Sequence, residues 1–263
     1  MADDSNAPIL YEKRDDRIAV ITINRPEARN ALSRSMYQTL EETWVDFMAD
    51  DSLSVAIITG TGDRAFCAGA DLKEMAQSSP MVGSFKRGIA RLLDDWEIDV
   101  WKPVIAAVNG LALGQGLSLV MATDMRIAAE EAVFGMSQIK WGIASGTATQ
   151  ILPRFLPYPI GMEMLLTGNN ITAQRAYEVG LINKVVPRDR LMDEALELAR
   201  TVAANAPLAL QAAKEAAVMG LHMNLHDSLK YGYKAERLNG YTEDAQEGPR
   251  AFAEKRAPQW KAR

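Results

Sequence analysis

The sequence predicts an α/β fold with largely parallel strands, followed by a helical C-terminal extension. In the first part of the chain, short apolar segments rich in β-branched residues alternate with glycine-bearing loops and helical periodicities. From Pro157 onward, helical patterns follow one another. Strands that are apolar along their whole length are covered on both faces, and this favours parallel over antiparallel pairing.

Five strands are predicted in the first part. Residues 17–24 (RIAVITIN) form the first strand, and a turn, NRPEARN, leads to a helix over residues 33–49. The second strand, residues 54–62, ends on glycines, and the third spans residues 103–110. Residues 124–134 carry the fourth and fifth. Each apolar strand leads to a loop and then a helix, as expected of an α/β fold.

The second part is predicted to be helical. Thr172 and Pro207 are residue types that favour a helix start. The predicted helices span residues 159–167, 172–179, 191–205, 207–219, 226–238 and 248–256. Because no linker rich in Pro, Gly or Ser interrupts the chain, we assign residues 1–200 to a core and residues 201–263 to a helical region packed on it.

Composition excludes several classes of protein. The 263 residues, 48% of them hydrophobic, are enough for a full core, and the single cysteine, Cys67, cannot form a disulfide within the chain. We therefore expect a cytoplasmic protein, and the acidic N-terminus does not resemble a secretory signal. The longest apolar region, residues 104–122, is interrupted by polar residues and glycines, which argues against a membrane span. A net charge of -5 argues against nucleic acid as a partner.

Two glycine-bearing loops are candidates for chemistry. Residues 65–75 (AFCAGADLKEM) and residues 108–124 (VNGLALGQGLSLVMATD) each follow a predicted strand and open a helix. Backbone N–H groups are unpaired at such places, and glycines let a ligand approach the main chain. Tight packing of helix on sheet explains either loop alone. Two together could supply the pair of N–H donors that a developing oxyanion requires.

These loops, with NRPEARNAL (residues 24–32) and EGPRAFAEKR (residues 247–256), resemble the crotonase, or enoyl-CoA hydratase/isomerase, superfamily. The resemblance runs from about residue 18 to residue 256. It implies a spiral of ββα units followed by a C-terminal helical region, which packs on the core or on a neighbouring subunit. This helical region is used to form trimers, and two trimers commonly associate. It also implies an acyl-CoA thioester substrate, with coenzyme A as part of the substrate and neither a permanently bound cofactor nor a metal.

The resemblance implies roles for individual residues. The N–H groups of Ala70 and Gln115 would be the two oxyanion donors. Other residues would contact coenzyme A: Ala68, Asp71 and Leu72 would line the groove for its adenine and pantetheine parts, and Lys255, on the same helix as Phe252, would reach its phosphate from an adjacent subunit.

The sequence departs from the family pattern at the acid and base. Family members that hydrate enoyl-CoA carry two glutamates, and the matching positions here are Ser118 and Gln138. A third acid of some relatives matches Gly146, and Gln115 stands where a small residue is usual. An amide does not titrate near neutral pH, and a serine hydroxyl is a poor base without a partner. The ordinary two-glutamate hydration is therefore not expected, although Gln138 and Ser118 could still hold water or a substrate oxygen.

Other candidates carry less weight. Ser118, with Tyr231 and Tyr233, partly resembles the hydroxycinnamoyl-CoA hydratase-lyases, but those relatives keep the second glutamate, and helix packing is an alternative role for the tyrosines. His222 and His226 stand four residues apart without a third metal ligand, so we predict surface positions.

Three hypotheses of function remain at this stage. The first is an acyl-CoA enzyme, a lyase or isomerase that forms an enolate with a non-standard acid and base, or a lyase or hydrolase that acts on a carbon–carbon bond of a cyclic or aromatic acyl group. The second is a non-catalytic acyl-CoA binder, and the third is a scaffold subunit. Residues 76–99 are expected to shape the acyl pocket.

Overall fold

The computed structural model describes residues 6–77 and 99–263, so most of the segment predicted to shape the acyl pocket lies outside the described residues. The strands are Ile9–Lys13 (β1), Ile18–Ile23 (β2), Val55–Gly60 (β3), Ala65–Cys67 (β4), Val104–Val108 (β5), Leu111–Leu113 (β6), Met125–Ala129 (β7), Val133–Gly135 (β8), Ile171–Thr172 (β9) and Lys184–Val186 (β10). The helices are Arg34–Ala49 (α1), Leu72–Gln77 (α2), Gln115–Met121 (α3), Gly146–Phe155 (α4), Tyr158–Thr167 (α5), Ala173–Glu178 (α6), Leu191–Ala203 (α7), Pro207–Gly220 (α8), Leu225–Asn239 (α9) and Glu243–Ala253 (α10).

In these residues the strands form two sheets. The order of the larger is β1-β2-β3-β5-β7-β10, and that of the smaller is β4-β6-β8-β9. The pairs of the larger sheet are parallel apart from the edge strand β1, and those of the smaller are parallel apart from β9. The predicted α/β class with mainly parallel strands is confirmed.

The two sheets are built by a repeating unit. β3 lies in the larger sheet, β4 in the smaller, and α2 follows them; β5, β6 and α3 repeat this order, as do β7, β8 and α4. Each unit therefore gives one strand to each sheet before it ends in a helix. This is the predicted spiral of ββα units.

The larger sheet is covered on both faces, which explains why its central strands are mostly apolar. One face packs against α1, whose Leu40, Trp44 and Phe47 are buried. The opposite face packs against α7, where Ala195 and Ala199 let the helix approach closely. Both faces thus lose water on folding, which is the main favourable contribution to stability.

The helical extension is tied to the core of the same chain. The Lys214 ammonium on α8 donates to Asp124 Oδ2 at 2.7 Å and to the Lys102 carbonyl oxygen at 3.0 Å. Within the extension, the indole of Trp260 donates to the Ala204 carbonyl oxygen at 2.7 Å, which holds the C-terminal residues near the end of α7. The predicted helical extension is confirmed, whereas its boundary at residue 200 stays a prediction. None of the described helices is long and apolar enough to span a membrane.

The sequence does not predict β1, β9, β10 or α4, and the structure also corrects the last helix and the two glycine loops. The last helix begins five residues before its predicted start, because the Thr242 hydroxyl accepts from the Ala245 N–H at 3.1 Å and caps α10 there, while Pro249 is accommodated inside the helix. Strands β4 and β6 have three residues each and lie within the segments we interpreted as glycine loops. Such short strands form only because neighbouring strands pair with them.

Candidate active site

The first loop is held against the segment that precedes α1. The Leu32 N–H donates to the Gly69 carbonyl oxygen at 2.8 Å, and the Asp71 N–H donates to the Leu32 carbonyl oxygen at 2.9 Å. Leu32 and Ala70 thus form a parallel bridge. In such a bridge the bonds to Leu32 come from the two neighbours of Ala70, so the N–H of Ala70 itself points away from Leu32.

The second loop joins β6 to α3. Gly114 adopts φ +54° and ψ -116°, a conformation that favours glycine, and α3 begins at the next residue, Gln115. The N–H of Gln115 belongs to the first turn of the helix, where backbone donors lack an intrahelical acceptor. It is therefore available to a ligand.

The two loops are in van der Waals contact. A Cβ atom on Gly69 would lie 3.0 Å from the Leu113 carbonyl oxygen and 3.6 Å from the Gln115 nitrogen. A Cβ on Gly114 would lie 4.0 Å from Gly69 Cα. The main chain that carries the Ala70 amide thus lies beside the main chain that carries the Gln115 amide, and their role as two donors to one oxygen stays a prediction.

The side chain of Gln138 packs against Gly114. Gln138 belongs to a short 3-10 turn, Ser137–Trp141, that follows β8. A Cβ on Gly114 would come within 3.4 Å of Gln138 Oε1, and this oxygen is buried without a hydrogen-bond partner among the described residues. A buried acceptor in this state is costly unless a ligand or water donates to it.

Ser118 lies one turn into α3. Its side chain is buried, and its hydroxyl donates to the Gly114 carbonyl oxygen at 3.4 Å, a long and weak bond. The structure therefore brings Gln115, Ser118 and Gln138 together around Gly114, with Ala70 on the adjoining loop.

Burial keeps the Cys67 thiol and the Tyr37 hydroxyl in their neutral forms. It raises the pKa of the Cys67 thiol to about 12, and it raises the pKa of the Tyr37 hydroxyl well above its ordinary value. Neither group ionises near neutral pH. Cys67 is fully buried.

Asp71 stabilises the loop that carries Ala70. Its Oδ2 accepts from Arg25 Nη1 at 2.7 Å, and its Oδ1 accepts from the N–H groups of Lys73 and Glu74 at 3.0 and 3.2 Å, so it caps α2. Burial is the largest single effect and would raise the pKa of Asp71, but the hydrogen bond from Arg25, the two backbone hydrogen bonds and the charge of Arg25 together lower it. The interpretation of NRPEARN as a turn missed Arg25, which this geometry adds to the site.

The other three residues predicted to contact coenzyme A are Ala68, Leu72 and Lys255. Leu72 is about half exposed on α2, and the Ala68 N–H donates to the Arg29 carbonyl oxygen at 3.1 Å. Lys255 is exposed two residues beyond the end of α10, so it does not lie on the same helix as Phe252 as we predicted, and Phe252 itself is 87% exposed. The predicted role of Lys255 requires a second subunit and stays a prediction.

The remaining candidates lie at the surface or in the extension. Gly146, the first residue of α4, is exposed, as are both histidines. The Tyr231 hydroxyl donates to Glu215 Oε1 at 2.5 Å, and Tyr233 is exposed. Within residues 6–77 and 99–263 no group of three His, Cys, Asp or Glu side chains could hold a metal ion.

The chain folds into two sheets built from ββα units, and the main chains of two loops that follow strands are in contact. This arrangement is that of the crotonase class of enzymes. A family model described as enoyl-CoA hydratase/isomerase matches residues 13–263, and the chain belongs to this family. It is 39% identical over 253 residues to "(E)-benzylidenesuccinyl-CoA hydratase" of Thauera aromatica, covering 95% of this chain and 98% of the relative. It is 39% identical to "2,3-dehydroadipyl-CoA hydratase" of Escherichia coli, covering 97% of this chain and 99% of the relative. The crystal structure of enoyl-CoA hydratase from Bacillus anthracis superposes with a TM-score of 0.89 at 35% identity, covering 97% and 100% of the two chains.

Proposed function

We propose that this enzyme binds an acyl-CoA thioester and stabilises its enolate with the N–H groups of Ala70 and Gln115. The contact between the Gly69 and Gln115 main chains is the observation that carries the proposal. Two fixed donors aimed at one oxygen stabilise the charge that develops on a thioester carbonyl. The thioester would enter with coenzyme A over the loop that contains Ala68, Asp71 and Leu72.

We further propose that Gln138 and Ser118 replace the usual acid and base with hydrogen-bonding groups. Gln138 Oε1 is a buried acceptor that needs a donor, and a water molecule or a substrate hydroxyl would supply one. This fits hydration of an enoyl-CoA or the reverse reaction, dehydration of a hydroxyacyl-CoA, and the relatives are named as hydratases and dehydratases. In this proposal Gln138 orients the water, and it transfers no proton itself.

A second candidate function is binding of acyl-CoA without turnover. The observation that favours it is the neutral amide and hydroxyl at both proton-transfer positions. Purified protein would be incubated with saturated, enoyl, dienoyl, 3-oxo and aromatic acyl-CoAs, with affinity and product formed measured for each. Turnover of an enoyl or aromatic member supports the first proposal. Binding throughout without product supports the second, and absence of binding contradicts both.

Replacing Ala70 by proline removes its N–H, and we expect turnover to fall by about 10²- to 10³-fold, the usual cost of one oxyanion donor. Affinity for free coenzyme A should change little, because the donor faces the acyl carbonyl. Ala70→Ser keeps the N–H and is the matched control. Near-normal rates in Ala70→Pro would contradict the assignment of this donor.

We propose assembly as a homo-trimer or a dimer of trimers in the cytoplasm. Large apolar side chains exposed on the helical extension support an interface there: Leu221, Leu225, Tyr233, Leu238, Tyr241 and Phe252. In such an assembly Lys255 would reach the coenzyme A phosphate of a neighbouring subunit.

A further inference from the structure

Arg126 lies at the end of α3 opposite the site. It is the second residue of β7, and Asn183 forms hydrogen bonds with both its N–H and its carbonyl oxygen. The Arg126 N–H donates to Asn183 Oδ1 at 2.7 Å, and the Asn183 N–H donates to the Arg126 carbonyl oxygen at 2.8 Å. The side chain is partly buried and points back towards the last turn of α3.

The guanidinium bonds to carbonyl oxygens in the described structure. Nε donates to Val120 at 2.9 Å, Nη2 donates to Met121 at 3.0 Å and to Thr123 at 2.9 Å, and Nη1 donates to Leu181 at 3.0 Å. The carbonyls at the end of a helix have no intrahelical donor, and here one side chain satisfies several of them. A cation at this end also interacts favourably with the helix dipole.

We propose that Arg126 is a positioning residue that fastens the carboxyl end of α3 and so fixes the Gln115 amide at the other end. The inference rests on the proposed oxyanion function. α3 has seven residues and is therefore only about 10 Å long, so a tilt at its end displaces its first amide directly. Burial lowers the pKa of Arg126 to about 10, which leaves the guanidinium charged at neutral pH.

The first turn of α3 is held in place by close packing against β4. A Cβ on Gly116 would lie 2.0 Å from the Cys67 carbonyl oxygen, so this turn is pressed against β4. With one end packed on β4 and the other bonded by Arg126, α3 is held at both ends. Loss of the guanidinium would remove its hydrogen bonds at the carboxyl end of α3 and leave the core packing of the helix and the bond from the Thr123 hydroxyl to the Val120 carbonyl oxygen in place.

The test uses the absorbance of bound cinnamoyl-CoA, whose band moves to longer wavelength when its thioester carbonyl is polarised. Full-length protein would be saturated with this probe, and kcat and KM would be measured for any substrate that it turns over. We expect Arg126→Met to bind the probe but to give a smaller red shift. We also expect it to lose about 10²-fold in kcat, the scale of a misplacement of about 1 Å, with a smaller change in KM. Arg126→Lys keeps the charge without the forked geometry and should restore part of the shift.

Controls separate the possible failures. Arg200→Met removes an exposed arginine of α7 and should keep the full shift. A folded Arg126→Met protein that gives the same red shift as wild-type protein overturns the inference. If Arg126→Met does not fold, a wild-type red shift in Arg126→Lys overturns it instead. If wild-type protein binds the probe without any red shift, or binds no acyl-CoA of the panel, the proposed oxyanion function itself fails.

Discussion

At the scale of single residues, Gln138 decides which chemistry is available. A glutamate at this position would exchange a proton, whereas the amide offers a neutral acceptor, Oε1, buried against Gly114 without a partner in the described structure. An unpaired buried acceptor destabilises the free protein and favours any ligand that donates to it. The residue is therefore suited to hold a hydroxyl or water, and the proton must come from another source.

Gln138→Glu should introduce a titratable base and allow hydration of a short enoyl-CoA. The carboxylate form is the base, so the gained rate should rise with pH as the new group deprotonates. Partial burial raises a carboxyl pKa, so the rise should lie above the ordinary value of about 4.3. The measurement is the initial rate from pH 4 to pH 8 (roughly the range in which such a group titrates).

Gln138→Met is the control for this experiment, because it has similar size and no titratable group. A folded Gln138→Glu enzyme that binds the enoyl-CoA but gains no pH-dependent rate would show that water does not sit beside residue 138.

The site residues differ in how far the sequence can predict them. The proposed donors Ala70 and Gln115 can be named from the resemblance of their loop motifs to the family, because the proposed role needs only an N–H at a fixed place in the chain. Arg25 and Arg126 act through tertiary contacts, with Asp71 and with the end of α3. Neither contact has a sequence spacing that identifies it.

At the scale of elements, the site depends on the packing of α3 against β4. Gly116 is the closest contact, with space for a hydrogen atom but not for a Cβ. The sequence predicts the flanking longer strands well, because β3, β5 and β7 are mostly apolar. It does not predict β4 and β6, since strands of three residues are set by pairing with their neighbours.

Gly116→Ala should destabilise the protein, because the added Cβ would meet the Cys67 carbonyl oxygen and force α3 away from β4. We expect a loss of about 1–3 kcal/mol or more in the free energy of unfolding, measured by urea denaturation. Gly232 lies in the middle of α9 with no atom within 4 Å of an added Cβ. Gly232→Ala is therefore the matched control and should stabilise the helix by about 0.5–1 kcal/mol. Equal stability of the two variants would contradict the packing argument.

At the scale of the whole molecule, the sequence predicts the class of fold but not the strand order. Parallel, doubly covered strands follow from apolar patterns, while the division of each unit between two sheets depends on contacts far apart in the chain. The same limit applies to assembly. The apolar side chains of α9 and α10 are recognised as a candidate interface once the structure shows them exposed.

Phe252→Glu should weaken assembly, because it places a charge where we expect an apolar contact between subunits. Sedimentation should show wild-type protein as three or six copies of the 28.9 kDa chain and the variant as smaller species. Lys230→Gln changes an exposed polar position of α9 and should leave the assembly intact. Wild-type protein that sediments as a monomer would contradict the proposed trimer.

The central claim is that two main-chain amides from separate loops bind one thioester oxygen, and vibrational spectroscopy tests it most directly. The carbonyl carbon of a bound acyl-CoA would be labelled with carbon-13 and its stretching frequency measured by difference infrared spectroscopy. We predict a lower frequency in wild-type protein than in water, and a return towards the value in water in Ala70→Pro. An unshifted carbonyl in wild-type protein saturated with the thioester would contradict the account.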